Sequence, residues 1–295
     1  MTKPFISEVT DAHSYFENVN LQVSQLFIYP IKSLGGIANQ SVQLTNTGFK
    51  HDRRWMLVDE QHVFLSQRSH LQMALLHITQ TDAGFIVSKY KDTHLQVTIP
   101  FITPPVKKIK VSIWDDACDA IEVSDIHNEW FSDMLNTKCK LVYMPDDSLR
   151  PVDKRYAAND EITSFSDGYP IMMIGQSSLD NLNNKLAEKL PMNRFRPNIV
   201  FTGGHAHIED EMAAFTIDET EFSGVKPCSR CTVTTINQQT GGQGKEPLKT
   251  LATYRMKNNK IYFGQNILQQ QNGVIHVGSK INVTTQKEPF ILPAY

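Results

Sequence analysis

Apolar residues along this chain recur mostly at short, alternating spacing, the period of half-buried β-strands. The first such run is Val23–Ile28, ended by Tyr29-Pro30, and Trp55–Val58 is the second. Phe85–Tyr90, His94–Ile99 and Ile109–Ile113 follow as short β-rich runs separated by Gly, Asp, Thr or Pro. The first two of these, split by Lys91-Asp92-Thr93, predict a hairpin. Further strands are expected at Ile171–Ile174, at Asn198–Thr202, around Cys231–Ile236, at Ile261–Leu268 and from Val274 to Val283. Two segments carry a helical period instead. Ile126–Leu135 places Trp130, Phe131, Met134 and Leu135 at helical spacing, with Asp125 available as a cap. After Ser177, the residues Leu179, Leu182, Leu186 and Leu190 form a core-facing stripe that Pro191 ends. The pattern predicts a mainly β chain with a few helices, of α+β class, built as a barrel or sandwich. A leader over 1–20, an N-terminal region over 21–143, a second domain over 144–286 and a tail over 287–295 are the expected divisions. The break is marked by a charged stretch with Arg150, Asp153, Lys154 and Arg155.

Composition narrows the partners. The 295 residues are 40% hydrophobic and 20% charged, with a formal net charge of -2. This balance predicts neither a nucleic-acid polymer nor a membrane surface as partner. No apolar run approaches the roughly 18 residues of a membrane span. The polar, acidic N-terminus lacks the order of a signal peptide, so a cytoplasmic location is the default expectation. Four cysteines, Cys118, Cys139, Cys228 and Cys231, are too irregularly spaced for a disulfide framework. None follows Cys231, so no cysteine-ligated iron–sulfur domain is expected after it.

The candidate chemistry begins at Cys228-Ser229-Arg230-Cys231. Half a zinc site would need two more ligands, for which only the distant His205 and His207 offer themselves. A thioredoxin-like pair should open a helix, whereas Thr232-Val233-Thr234-Thr235-Ile236 is β-branched and strand-like. Two buried small cysteines remain the plain reading. A single thiolate on a soft metal is the fourth, with Lys226 and Arg230 close enough to favour the charged sulfur. Spacing alone does not choose among them. Basic residues with small polar neighbours form a second set: Lys32-Ser33, Arg53, Arg68 after Ser66-Gln67, and Arg196 before Pro197-Asn198. Such groups suit a phosphate, though each is also an ordinary surface or ion-paired arginine in isolation. Asp167, in the turn Ser166-Asp167-Gly168-Tyr169-Pro170, is placed to contact a bound group at a strand mouth.

Taken in order, several stretches resemble the MOSC family, and within it the YcbX-like proteins and amidoxime-reducing components. They are YPIKS at Tyr29–Ser33, HDRRWMLVD at His51–Asp59, SQR at Ser66–Arg68, SFSDGYP at Ser164–Pro170 and RFRPN at Arg194–Asn198. CSRCTVTTIN at Cys228–Asn237, TGG at Thr240–Gly242, EPLKTLATYR at Glu246–Arg255 and FGQN at Phe263–Asn266 complete the series. The resemblance runs from about Leu26 to Val283. It implies an N-terminal MOSC β-barrel region and a MOSC β-barrel domain with a molybdenum cofactor, Mo-molybdopterin, held between them. Cys231 would be the metal ligand, with Cys228 its neighbour, and Asp167 would lie close to the metal. Lys32, Ser33, Arg53 and Arg196 would hold the molybdopterin or its phosphate; Arg68, Asn198, Arg230 and Thr235 lie in the same motifs. The implied activity is reduction of hydroxylamines, amidoximes and N-hydroxylated bases by oxygen-atom transfer, a detoxification. Electrons would arrive from a separate protein of flavin reductase, ferredoxin or cytochrome type. Pyridoxal phosphate binding is a further association. Asn237-Gln238-Gln239 departs from the Asp-Pro usual in the loop. A cofactor or sulfur carrier without turnover is the alternative, and a thiol-disulfide oxidoreductase the third.

Overall fold

The computed structural model describes residues 10–11, 16, 19–102, 107–157 and 159–291. Much of the expected leader, and the tail beyond 291, lies outside the described residues. Within them, Thr10–Asp11 pairs antiparallel with Lys280–Gln286.

Seven strands close into a barrel. Around the ring they run Leu21–Ile28, Lys280–Gln286, Met212–Ile217, Thr220–Ser229, Lys260–Gln269, Ile171–Gly175 and Ile199–Thr202, the last pairing back onto the first. Leu21–Ile28 alternates buried and open positions, which fits one face to the barrel interior. Ile171–Gly175 and Ile199–Thr202 are parallel. Their crossover holds the helix Gln176–Asn183, as a parallel connection requires. A four-stranded sheet, Lys107–Ile113, Asp116–Glu122, Lys140–Tyr143 and Trp55–Val58, lies beside the barrel with the helix Asp125–Leu135. Leu76–Gln80, Gly84–Lys89 and Asp92–Pro100 form a meander that contains the expected hairpin. One hydrophobic cluster spans both parts, joining Leu26, Ile199, Phe215 and Ile281 to Trp55, Phe85 and Phe131. Among the described residues no helix is long and apolar enough to cross a membrane.

Four expectations are corrected. The stripe from Leu179 to Leu190 forms a helix only to Asn183, because the Asn183 side chain bonds both backbone groups of Leu190, at 3.0 and 2.8 Å, and turns the chain. The Asp125–Leu135 helix is capped by Ser124, whose hydroxyl accepts from the His127 backbone N–H at 3.4 Å, rather than by Asp125. Val274–Val283 is two strands, Val274–His276 and Lys280–Gln286. Most consequential, Cys231–Ile236 is no strand: Thr232–Thr235 is a single 3₁₀ turn. The Thr234 hydroxyl donates to Cys231 O at 3.0 Å and that of Thr235 to Thr232 O at 2.7 Å. Local hydroxyl-to-backbone bonds of this kind override the β preference of threonine.

Candidate functional site

The barrel wall itself delivers the cysteines. Thr220–Ser229 shifts register against Lys260–Gln269 twice, between Gly224 and Lys226 and between Pro227 and Ser229. Bulges of this kind bend a strand and re-aim its end. Opposite them Gly264 has φ 80, and a Cβ there would stand 2.6 Å from Ile174 Cγ1, so only glycine fits the bend. The strand ends at Ser229, and Cys231 follows as the exposed first residue of the turn; Cys228 is half-buried, and neither is disulfide-bonded. Burial pushes the Cys228 thiol up.

Cys231 opens onto a cavity of about 310 Å³ lined by seven cationic side chains and by one carboxylate, Asp167. Lys32, Ser33, Arg53, Arg68, Arg196, Asn198 and Arg230 all line it, from segments distant in sequence. Thr235 is buried and does not.

Two arginines pack on one ring. The guanidinium carbons of Arg53 and Arg196 each stand 4.3 Å from the centre of the Tyr29 ring, whose hydroxyl donates to Pro197 O at 3.1 Å. Arg53 also donates to Asp52 at 2.5 Å and to Asn198 Oδ1 at 3.0 Å. Asn198 in turn donates to Phe27 O at 3.2 Å, so its amide positions Arg53. The guanidinium of Arg196 has no hydrogen bond or ion pair among the described residues, and burial lowers it to about 10.

Lys32 reaches in from the other side, donating to Phe165 O at 2.8 Å and to Asp167 Oδ1 at 2.6 Å. Burial brings the Lys32 amine down to about 8, against the opposing pull of Asp167. The Asp167 side chain keeps 71% of its surface open. Crowding raises its carboxyl, but Lys32, Arg68 and Arg53 outweigh that and hold it well below the usual carboxylate range. Arg68 donates to Cys231 Sγ at 3.5 Å and stacks 4.1 Å over Trp114. Lys226 and Arg230 line the cavity beside both cysteines, and the Arg230 charge opposes the burial that raises the Cys228 thiol. Arg230 donates to Phe263 O, Phe195 O and Met172 Sδ, at 2.7, 3.0 and 3.2 Å, and Lys226 lies over the Tyr156 ring.

Four residues support the site beyond those expected to: Tyr29 and Gln238, which stand in quoted segments without a role of their own, and Trp114 and Arg150, which lie outside the motifs. Gln67 and Gln238 exchange amide bonds of 3.1 and 2.9 Å, and Gln67 also donates to Ser33 O at 2.7 Å. The loop that departs from Asp-Pro therefore ties the Arg68 segment to the cysteine segment. Arg150 read as one charge in a polar stretch, yet it is 2% exposed. It donates to Ser164 O and Ser166 O at 2.9 and 2.5 Å and pairs with Asp116 at 2.8 Å, which clamps the Asp167 turn. Arg150→Met, which keeps the bulk and leaves those carbonyls without donors, is expected to cost about 3 kcal/mol in urea unfolding. An unchanged midpoint would remove the clamp from the account.

The chain matches the MOSC N-terminal beta barrel domain over residues 20–138 and the MOSC domain over residues 160–282. It belongs to the MOSC family. Mitochondrial amidoxime-reducing component 1 of Mus musculus is 29% identical to it over 289 residues, covering 90% of this chain and 82% of that protein. The Homo sapiens protein of the same name is 28% identical over 284 residues, covering 90% and 83%. Molybdenum cofactor sulfurase of Oryza sativa subsp. japonica is 27% identical over 297 residues; 90% of this chain is covered but only 36% of the sulfurase. At family level the MOSC chain is thus associated with the molybdenum cofactor and with oxidoreductase chemistry.

The cavity's chemistry fits such a group. Desolvated cations lacking anions, Arg196 above all, are relieved by a phosphate. The exposed thiol of Cys231 offers the soft ligand that molybdenum takes, and among the described residues no cluster of three or more His, Cys, Asp or Glu offers a metal site of another kind.

Proposed function

We propose that this MOSC protein binds the molybdenum cofactor in the cation-lined cavity, with Cys231 as metal ligand, and reduces N-hydroxylated compounds. The observation that carries the reading is an unpaired, exposed thiol on a cavity of seven cations and one carboxylate. When bound, the cofactor supplies two-electron removal of oxygen from an N–OH group, with two protons taken up and water released. The chain's own residues bind and orient. Arg53 and Arg196, fixed against Tyr29, hold the phosphate, with Lys32 and Ser33 beside them. Arg68 donates to the Cys231 sulfur. Lys32 Nζ holds a proton against Asp167 Oδ1, which orients that carboxylate toward the cavity. Hydroxylamines, amidoximes and N-hydroxylated bases are the substrate class, their reduction serving detoxification. A separate flavin reductase, ferredoxin or cytochrome is the electron donor.

Arg53→Ala and Arg196→Ala are each expected to lower molybdenum per chain about tenfold after purification and dialysis, the usual scale for groups that support a bound metal. Full occupancy in both, measured by mass spectrometry of the metal, would dissociate these arginines from the phosphate.

The similarity to molybdenum cofactor sulfurase favours a second reading, a cofactor or sulfur carrier. A carrier predicts a persulfide on Cys231 or Cys228, or an exchangeable cofactor, with no turnover of N-hydroxylated compounds.

A further inference from the structure

Beside the cavity, touching its lining residues Asp167 and Arg68, stands a tryptophan that burial does not explain. Trp114 is 48% exposed, whereas Trp55 is fully buried. It occupies the first position of the two-residue turn between Lys107–Ile113 and Asp116–Glu122, with φ 56. Glycine or asparagine is the usual occupant of such a position, and a bulky side chain there is strained. Three cavity residues, Ser33, Arg53 and Arg196, share the left-handed backbone, at φ 68, 49 and 55. Strain of this kind gathers where side chains must be aimed.

The indole is held rather than loose. Its Nε1 donates to Asp167 Oδ1 at 3.4 Å, Arg68 stacks on it at 4.1 Å, and Phe64 packs at 5.0 Å. Lys32 and Trp114 therefore both engage Oδ1 of Asp167, while Oδ2 has no partner among the described residues. A half-exposed indole thus adjoins a carboxylate oxygen ready to accept an N–H. Cations around the cavity repel protonated amines and admit neutral molecules.

We propose that Trp114 is the specificity-determining residue, stacking the aryl group of a neutral N-hydroxylated amidine whose N–H donates to Asp167 Oδ2. This rests on the reductase reading above and narrows its substrate class to aryl amidoximes over alkyl ones. The contact is remote from the N–O bond, so it acts on binding in ground and transition states alike and enters KM rather than kcat.

The test uses molybdenum-loaded protein with benzamidoxime and acetamidoxime, which differ only in the aryl group. Calorimetric Kd and steady-state kcat and KM are measured for wild type, W114F and W114A. Wild type is expected to prefer benzamidoxime about tenfold in Kd and KM, the scale of one aromatic stacking partner. W114A should erase that preference with kcat nearly unchanged, and W114F should keep most of it. Equal losses for both compounds in W114A would show that Trp114 acts only through Arg68 or Asp167, which overturns the proposal. A preference surviving in W114A overturns it too. Tighter wild-type binding of benzamidoxime that depends on Trp114, without turnover of either compound, sinks the reductase reading and leaves the aryl site standing.

Discussion

Replacing Cys231 by alanine is expected to strip the purified protein of molybdenum and to abolish reduction of N-hydroxylated compounds, while the fold stays intact. The separation follows from where the side chain stands. Cys231 is exposed and belongs to no hydrophobic cluster. Its truncation should move stability by no more than about 0.5 kcal/mol. The turn behind it is held by the Cys231 carbonyl, which accepts from the Thr234 N–H and hydroxyl at 3.2 and 3.0 Å, and alanine keeps that carbonyl. Arg194 adds a bond of 2.9 Å to Thr234 O. Loss of the thiol should therefore act on the metal alone, by well over about tenfold in content if even supporting groups cost that much. Cys228→Ala is the control. Its thiol is half-buried and its contact is a long one, 3.9 Å to Ser229 O, so molybdenum should be retained. Metal held in C231A and lost in C228A would exchange their roles. Metal held in both, with full turnover, would end the assignment of a protein thiolate ligand.

Much of the fold was open to reading where one face of a strand is buried and the other is not. Leu21–Ile28, Gly84–Lys89 and Lys107–Ile113 announce themselves through alternation. The barrel's closure does not. Leu21–Ile28 pairs with Ile199–Thr202 on one side and Lys280–Gln286 on the other, contacts across some two hundred residues that no local pattern encodes. Thr220–Ser229 is hidden because Gly224 and Pro227, which flank its register shifts, are strand breakers by composition. Thr232–Thr235 failed for the opposite reason, since its β-branched residues turn on their own hydroxyls. In the site, the residues that would meet the cofactor are legible as ordered motifs. Those that hold them in place are less so: Tyr29 stands in the YPIKS motif but works through its ring, Arg150 through carbonyls fourteen and sixteen residues on, and Trp114 through the tip of a hairpin.

A second large effect is expected outside the cavity lining, at Glu209. Its side chain is fully buried; Oε2 accepts from the Ser178 hydroxyl at 2.8 Å, and Oε1 has no partner among the described residues. Burial, and next the neighbouring Asp210, raise its carboxyl from 4.5 to about 7. Asp210 has Arg255 as an ion-pair partner, whereas Oε1 of Glu209 stays without a hydrogen-bond partner among the described residues. The sign follows from proton counting. Below pH 4.5 the group is protonated whether the chain is folded or unfolded, and it carries no penalty. As the pH rises toward 7 the unfolded chain releases a proton that the folded chain keeps, so stability falls, and above 7 the loss is constant. The difference in carboxyl affinity corresponds to about 3 kcal/mol. Glu209→Gln keeps the volume and removes the charge, so it should stabilise the protein by about that amount near pH 8 and hardly at all near pH 4. Asp210 and His205 are coupled to Glu209, so the difference between the two urea unfolding curves reports this group together with that coupling. A stabilisation equal at both pH values would show that Glu209 is ionised in the fold and balanced by a charge other than those described. Molybdenum content should be the same in both, since Glu209 lines no part of the cavity; metal loss in the glutamine variant would mean that the barrel interior and the cofactor site are coupled.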